Sequence, residues 1–160
     1  MRYVYDDGGR GAAGFKGQTN DCVVRAIAIA TARDYREVYK GLNGMAQHER
    51  PRSGKTRSSP RTGVYKQTIR RYMQAIGWVW TPTMHIGSGT TVHLKADELP
   101  AGRLVVNLSR HLSAVIDGVI HDTADPSRNE TRAVYGYWMA PHRVTSIPVA
   151  RPNNLTGVSL

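Results

Sequence analysis

The run His111-Leu112-Ser113-Ala114-Val115-Ile116-Asp117-Gly118-Val119-Ile120-His121-Asp122-Thr123 decides the fold. Two β-branched, apolar stretches flank the dipeptide Asp-Gly, which supplies the two positive-φ residues that a type I′ hairpin turn requires. Such a turn fixes the register: Ile116 faces Val119, Val115 faces Ile120, Ala114 faces His121, Ser113 faces Asp122 and His111 faces Ala124. Side chains alternate between the faces of a strand. His111, Ser113 and Val115 therefore share a face with Ile120 and Asp122, while His121 projects to the other side. His111 and Asp122 become diagonal neighbours with backbones roughly 7–8 Å apart, a gap that two polar side chains can close. A one-residue bulge would exchange these choices for His121 and Asp125.

Extended character continues on both sides of the hairpin. Residues 78–81, 90–94, 103–108, 133–139 and 143–149 are rich in β-branched and aromatic side chains and are separated by Pro82, Gly87, Gly89, Pro100, Gly102 and Pro141. Together they predict six or seven strands. Upstream the periodicity is helical. Residues 21–32 are apolar nearly all round, which predicts a buried helix, with Asn20 as its N-cap. Asp34 and Glu37 form an aspartate version of the capping box and start a second helix that Gly41 and Gly44 are expected to end. Tyr65, Ile69, Tyr72, Met73 and Ile76 make one apolar stripe of a third helix over 64–76, stopped by Gly77. Tyr3-Val4-Tyr5 reads as an edge strand, and the glycine-rich stretch after it as a flexible approach to residue 22. Helices first and strands second predict an α+β fold, with the N-terminal helices packed on a C-terminal antiparallel sheet. One domain is expected over residues 1–150, followed by a tail at 151–160.

The chain has 160 residues, 22 Lys+Arg against 12 Asp+Glu, and a formal charge of +10. That excess attracts acidic proteins or nucleic acid. It is concentrated at residues 48–63, where Arg50, Arg52, Lys55, Arg57 and Arg61 stand among prolines and glycines with no large apolar side chain. Such a segment has little to bury, so it is expected to be a mobile basic loop that contacts a partner. No apolar run is long enough to span a membrane and no leader is evident. One cysteine precludes an internal disulfide and fits a reducing, cytoplasmic setting, the host cytoplasm or a virion if the protein is viral. The histidines show no zinc-ligand spacing, and no metal or cofactor is expected.

That cysteine, Cys22, stands where the polar stretch Gly17-Gln18-Thr19-Asn20-Asp21 meets the apolar run Val23 to Ala30. A thiol at a helix N-terminus sits among unpaired amides and the positive end of the macrodipole, which favour its thiolate. A thiolate nucleophile needs a base, and the base needs a group that fixes its tautomer. The hairpin offers His111 and Asp122. The competing reading is a small buried hydrophobe. Arg25, four residues after Asp21, is expected to pair with it and hold the helix end.

The segments Asp21-Cys22-Val23-Val24-Arg25-Ala26-Ile27, His111 to Val115 and Asp117 to Thr123 resemble the papain-like cysteine peptidase fold, in the compact form of bacterial leader-processing peptidases. They are similar as well to small uncharacterised bacteriophage and prophage proteins. The resemblance implies Cys22 as nucleophile, His111 as general base and Asp122 as orienting carboxylate. It further implies an oxyanion-hole glutamine six residues before the cysteine; Lys16 occupies that position, and Gln18, four before, is the available glutamine. The implied activity is a thiol protease or isopeptidase, or an acyltransferase, acting on a protein or peptide substrate. The alternatives are a catalytically silent binding protein, or a nucleic-acid-binding protein that uses the basic loop.

Overall fold

A computed structural model describes residues 1–51 and 53–141; Arg52, the strand expected at 143–149 and the tail lie outside the described residues. The order of elements is β1 (Arg2–Tyr5), α1 (Cys22–Thr31), α2 (Tyr35–Ala46), α3 (Lys66–Ala75), β2 (Val79–Pro82), β3 (Arg103–Leu108), β4 (His111–Ile116), β5 (Val119–Asp122) and β6 (Gly136–Met139). The fold is α+β, with three helices packed on a single six-stranded sheet of order β1-β5-β4-β3-β6-β2.

The hairpin has the register its turn dictates. Asp117 and Gly118 take φ of 47° and 74°, and Ile116 pairs with Val119, Val115 with Ile120 and Ala114 with His121. The sheet is mixed rather than antiparallel throughout, because β1 runs parallel to β5, with Tyr3 opposite Ile120. The N-terminal strand thus closes one edge beside a strand more than 100 residues away in sequence, and no local turn dictates its direction.

Alternation along the strands divides the core. Val105, Leu112, Ala114 and Trp138 face the helices, where they meet Val23, Val24, Ile27, Leu42, Ile69 and Met73. Leu104, Val106, Leu108, Val115 and Ile120 face the other way. That second face is covered by the segments around Leu94 and Val134 rather than by helices. Residues 90–94 are therefore not a strand, a departure from the sequence reading. They are tied by a single bridge between His93 and Ala133 and by the bonds Leu94 N to Arg132 O and Val134 N to Val92 O, of 2.8 and 2.9 Å. Their apolar residues act as a lid on the sheet, which accounts for their strand-like composition.

The helices differ from expectation at their ends. Asp21, not Asn20, is the N-cap of α1, and its side chain makes no capping bond because it is used elsewhere, as described below. Asp34 caps α2 through Arg36 N and Glu37 N. α2 then runs through Gly41 and Gly44 to Ala46. Gly41 is needed for space: a Cβ there would lie 2.6 Å from Cε2 of Tyr72, a buried ring on α3. Gly41→Ala gains about 1 kcal/mol of helix propensity but forces that ring aside at about 1–3 kcal/mol, so a net loss of about 1 kcal/mol is expected. Urea unfolding measures it, and a midpoint at or above wild type would contradict the packing role.

Several described residues of the 48–63 segment are hydrogen-bonded. The Glu49 carboxylate accepts bonds from Ser58 N, at 2.6 Å, and from the Thr68 hydroxyl, and Tyr65 Oη donates to Thr56 O at 2.6 Å. Glu49 and Thr56 are thereby tied to the start of α3. The glycine-rich stretch after β1 is likewise built of turns: Asp6 accepts from Gly8 N, and Asp7 accepts from Gly9 N and Gly11 N. Asx-type bonds of this kind hold the chain that sequence alone reads as flexible.

Candidate active site

Cys22 is the first residue of α1, and His111 is the first residue of β4. α1 packs on β4, so helix start and strand start meet at one end of the sheet. A cleft there is lined by Asn20, Cys22, Val64, Arg110, His111 and Leu112, among others. Arg103 anchors the other end of α1, donating from Nε and Nη2 to the carbonyls of Ala30 and Ile29 at 2.7 and 2.6 Å. A cation on the last carbonyls of a helix complements its negative end, so it fixes where α1 lies on β3.

His111 Nε2 lies 2.7 Å from Asp122 Oδ2. This leaves Nδ1 as the ring nitrogen free to meet the thiol. Ser113 donates to the same carboxylate oxygen at 2.8 Å, and the Thr123 amide donates to Oδ1 at 2.7 Å. Asp122 is thus buried with its acceptors filled. Burial pushes its carboxyl up, but His111, Ser113 and the Thr123 amide more than offset this and hold it below the usual carboxylate range.

Cysteine and histidine shift in opposite directions. Burial pushes the Cys22 thiol up, yet hydrogen bonds from His111 and the Leu112 amide, with the charges of His111 and Arg25, bring it below an ordinary thiol. Burial pulls His111 down, while hydrogen bonds to Asp122 and Cys22 and their negative charges raise it to about 9. At neutral pH this favours the thiolate–imidazolium form of the pair.

Behind Cys22 lies a polar cluster that sequence reading identified only in part. Asp21, 1% exposed, receives the Tyr35 hydroxyl at 2.6 Å and pairs with Arg10 Nε at 3.2 Å and Arg25 Nε at 3.1 Å. Arg25 also reaches the Thr123 hydroxyl and lies 3.8 Å from Asp122 Oδ1. One guanidinium therefore links the residue before Cys22 to the carboxylate that meets His111. The spacing of Asp21 and Arg25 signalled their pair, whereas Arg10, in a glycine-rich turn, has no periodicity that could reveal it.

Other expected residues lie elsewhere. Gln18 is exposed, contributes nothing to the cleft lining and touches Arg61 only through its carbonyl. Asn20, two residues before Cys22, lines the cleft instead. Arg61 is exposed and lies along the loop before Cys22. Its guanidinium lies 3.3 and 3.4 Å from the carbonyls of Lys16 and Gln18, and its own carbonyl accepts from Asn20 N and Thr19 Oγ1 at 2.9 Å. It straps the loop that precedes Cys22. Arg50 and Lys55 do share a groove with Lys66 and Arg71 of α3, and Arg57 is exposed. His121 points to the far side and meets Asp6 at 3.3 Å.

Among the described residues no cluster of three or more His, Cys, Asp or Glu is placed to hold a metal ion, and no helix is long and apolar enough to cross a membrane. No protein-family model, curated protein or solved structure matches this chain.

Proposed function

We propose that this protein is a thiol hydrolase of the papain-like type, phage-encoded as the resemblance of its motifs suggests, that cleaves a peptide or isopeptide bond with Cys22, His111 and Asp122. The observation that carries the reading is His111, whose Nε2 meets Asp122 and which lines one cleft with Cys22 at the start of α1. Cys22 thiolate attacks the carbonyl carbon, and the displaced electron pair moves to the carbonyl oxygen. The Cys22 amide, unpaired at the start of α1, donates to that oxyanion; Asn20 and Asn107 are the side-chain amides lining the cleft that can join it. Collapse of the intermediate breaks the C–N bond as His111 gives its proton to the leaving nitrogen. Neutral His111 then takes a proton from water, whose hydroxide attacks the thioester and releases the acid and Cys22 thiolate. Asp122 stays ionised throughout and stabilises the imidazolium. Attack by an amine in place of water gives acyl transfer.

Alkylation of Cys22 by a peptide carrying a thiol-directed electrophile tests the reading. At pH 6 the rate is expected to exceed that of a free thiol by ~10-fold or more, because a lowered thiol pKa leaves more thiolate there than an ordinary thiol has. For hydrolysis, kcat/KM should rise with pH through a limb below the ordinary thiol range. It should fall again as His111 loses its proton near pH 9, since above that value no acid remains for the leaving nitrogen. Labelling at pH 6 no faster than that of glutathione would falsify the nucleophile assignment. The competing reading, a silent binding protein, is favoured by the basic groove of Arg50, Lys55, Lys66 and Arg71, and it predicts ordinary thiol reactivity.

A further inference from the structure

The cleft at Cys22 does not end at its own walls. Lys66, Ile69, Asn107, Leu112 and Tyr135 line both the cleft and a second groove of about 700 Å³. Trp80 and Trp138 form the apolar part of that groove. They are a directly opposed cross-strand pair of β2 and β6, with ring centroids 5.2 Å apart and planes tilted by 50°. Trp138 is almost wholly buried and fixes the floor. Trp80 is held over Gly136, where a Cβ would come within 2.4 Å of its ring, so the absence of a side chain at 136 lets the indole lie against the sheet. A rigid aromatic surface with one face open suits a large apolar side chain.

The rim of the same groove is basic. Lys66, Arg70 and Arg71 line it, with no acidic residue among the described ones. Lys66 and Arg71 continue into the neighbouring basic groove with His48, Arg50 and Lys55. Glu49, its one acidic neighbour, has its carboxylate committed to Ser58 and Thr68. From Cys22 outward the order is nucleophile, aromatic floor, positive rim.

We propose that this trench selects a polypeptide substrate that carries, on one side of the scissile bond, a large apolar or aromatic residue followed by acidic residues. The proposal rests on the hydrolase reading and deepens it by naming the substrate class. The aromatic residue packs on Trp80 and Trp138, and the acidic residues beyond it meet Arg70, Arg71, Lys66 and Lys55. A peptide is favoured over nucleic acid because the trench opens onto a thiol–imidazole pair suited to an acyl carbon, and because its aromatic surface is one recessed pair rather than a row of stacking platforms.

Positional scanning of an internally quenched peptide library is the test. The expected profile is Phe, Trp or Leu at one position near the cleaved bond, with Asp or Glu at the next positions outward. Trp80→Ala should erase the first preference and leave the second. Arg70→Glu/Arg71→Glu should lower turnover of acidic peptides on the order of 10-fold or more and invert the outer preference to Lys or Arg, an inversion that loss of folding does not produce. Cleavage with no such preferences, or with preferences unmoved by these variants, overturns the proposal and leaves the hydrolase reading standing. If no peptide is cleaved, the hydrolase reading fails by itself. The trench is then judged by fluorescence anisotropy of the Cys22→Ala protein with a labelled peptide of Phe and a run of glutamates. Salt-sensitive binding that the Arg70/Arg71 reversal abolishes supports the trench, and no binding overturns it. Equal competition by a thymidine oligonucleotide also overturns it, in favour of a nucleic-acid surface.

Discussion

The Asp122→Asn protein is expected to fold and keep its thiol, yet to lose roughly 10²- to 10⁴-fold in kcat/KM. The reason is a conflict of donors. Asp122 accepts three bonds, from His111 and Ser113 on Oδ2 and from the Thr123 amide on Oδ1. An asparagine can present its oxygen to His111 and Ser113 only by pointing its NH₂ at the Thr123 N–H. In the opposite orientation it gives His111 a donor, which stabilises the tautomer with no proton on Nε2. In either case the charge that holds His111 at about 9 is gone. The histidine pKa then falls, less imidazolium is present at neutral pH, and the Cys22 thiol rises with the loss of its partner.

The alkaline limb of kcat/KM should therefore move to lower pH. Alkylation of Cys22 at pH 6 should slow toward the rate of a free thiol. Both readouts are specific to the triad, since a variant that is merely less stable loses active protein without moving its limb. His111→Ala removes the acid altogether and is expected to cost on the order of 10⁴-fold at any pH. An Asp122→Asn enzyme within a few-fold of wild type, with its limb still near pH 9, would sink the assignment of Asp122 as the orienting group.

Which parts of this arrangement the sequence discloses follows from the range of the forces involved. The hairpin is local: Asp117-Gly118 sets the turn, period-two alternation sets the faces, and the two together place His111 on Asp122 without reference to the rest of the chain. Ser113 could be read in the same way, because the register sets it opposite Asp122. Cys22 at a helix start is local as well, although the cap is Asp21 rather than Asn20 and its carboxylate is engaged elsewhere. The parallel pairing of β1 with β5 has no local determinant, since nothing between residues 5 and 119 dictates which edge the first strand joins. Residues 90–94 have strand composition because they are buried, and composition does not distinguish a lid from a strand. Gly41 reads as a helix stop when only propensity is considered, and the Tyr72 ring that explains it comes from another helix. Gln18 was expected through likeness to papain-type spacing, whereas the turn held by Arg61 brings Asn20, not Gln18, into the cleft.

The largest effect on stability is expected at Asp21. Its carboxylate is buried and shared among Tyr35, Arg10 and Arg25, three elements separated in sequence and brought together only here. Asp21→Ala leaves two guanidinium groups and a phenol without their acceptor, and breaking a buried pair from one side costs about 3–5 kcal/mol because the remaining charges stay desolvated. Tyr35→Phe is the contrast. It deletes one donor, leaves Asp21 paired with both arginines, and is expected to cost only about 1 kcal/mol. Urea unfolding separates the two, and an Asp21→Ala midpoint close to that of Tyr35→Phe would show that the cluster is not a unit. The substitution should also reach the reactive centre. With Asp21 gone, Arg25 loses its ion-pair partner at 3.1 Å, and the carboxylate that remains beside it is Asp122, 3.8 Å from Nη1. A guanidinium moving onto Asp122 competes with His111 for that charge, so His111 should titrate at lower pH and the alkaline limb should shift downward even in the fraction that folds. Asp21→Asn, which keeps the shape and the acceptor for Tyr35 but removes the charge, should show that shift with a smaller loss of stability. Agreement of both variants on the direction of the limb would establish that the residue before the nucleophile tunes the base through Arg25, and an unmoved limb in both would confine Asp21 to holding the helix in place.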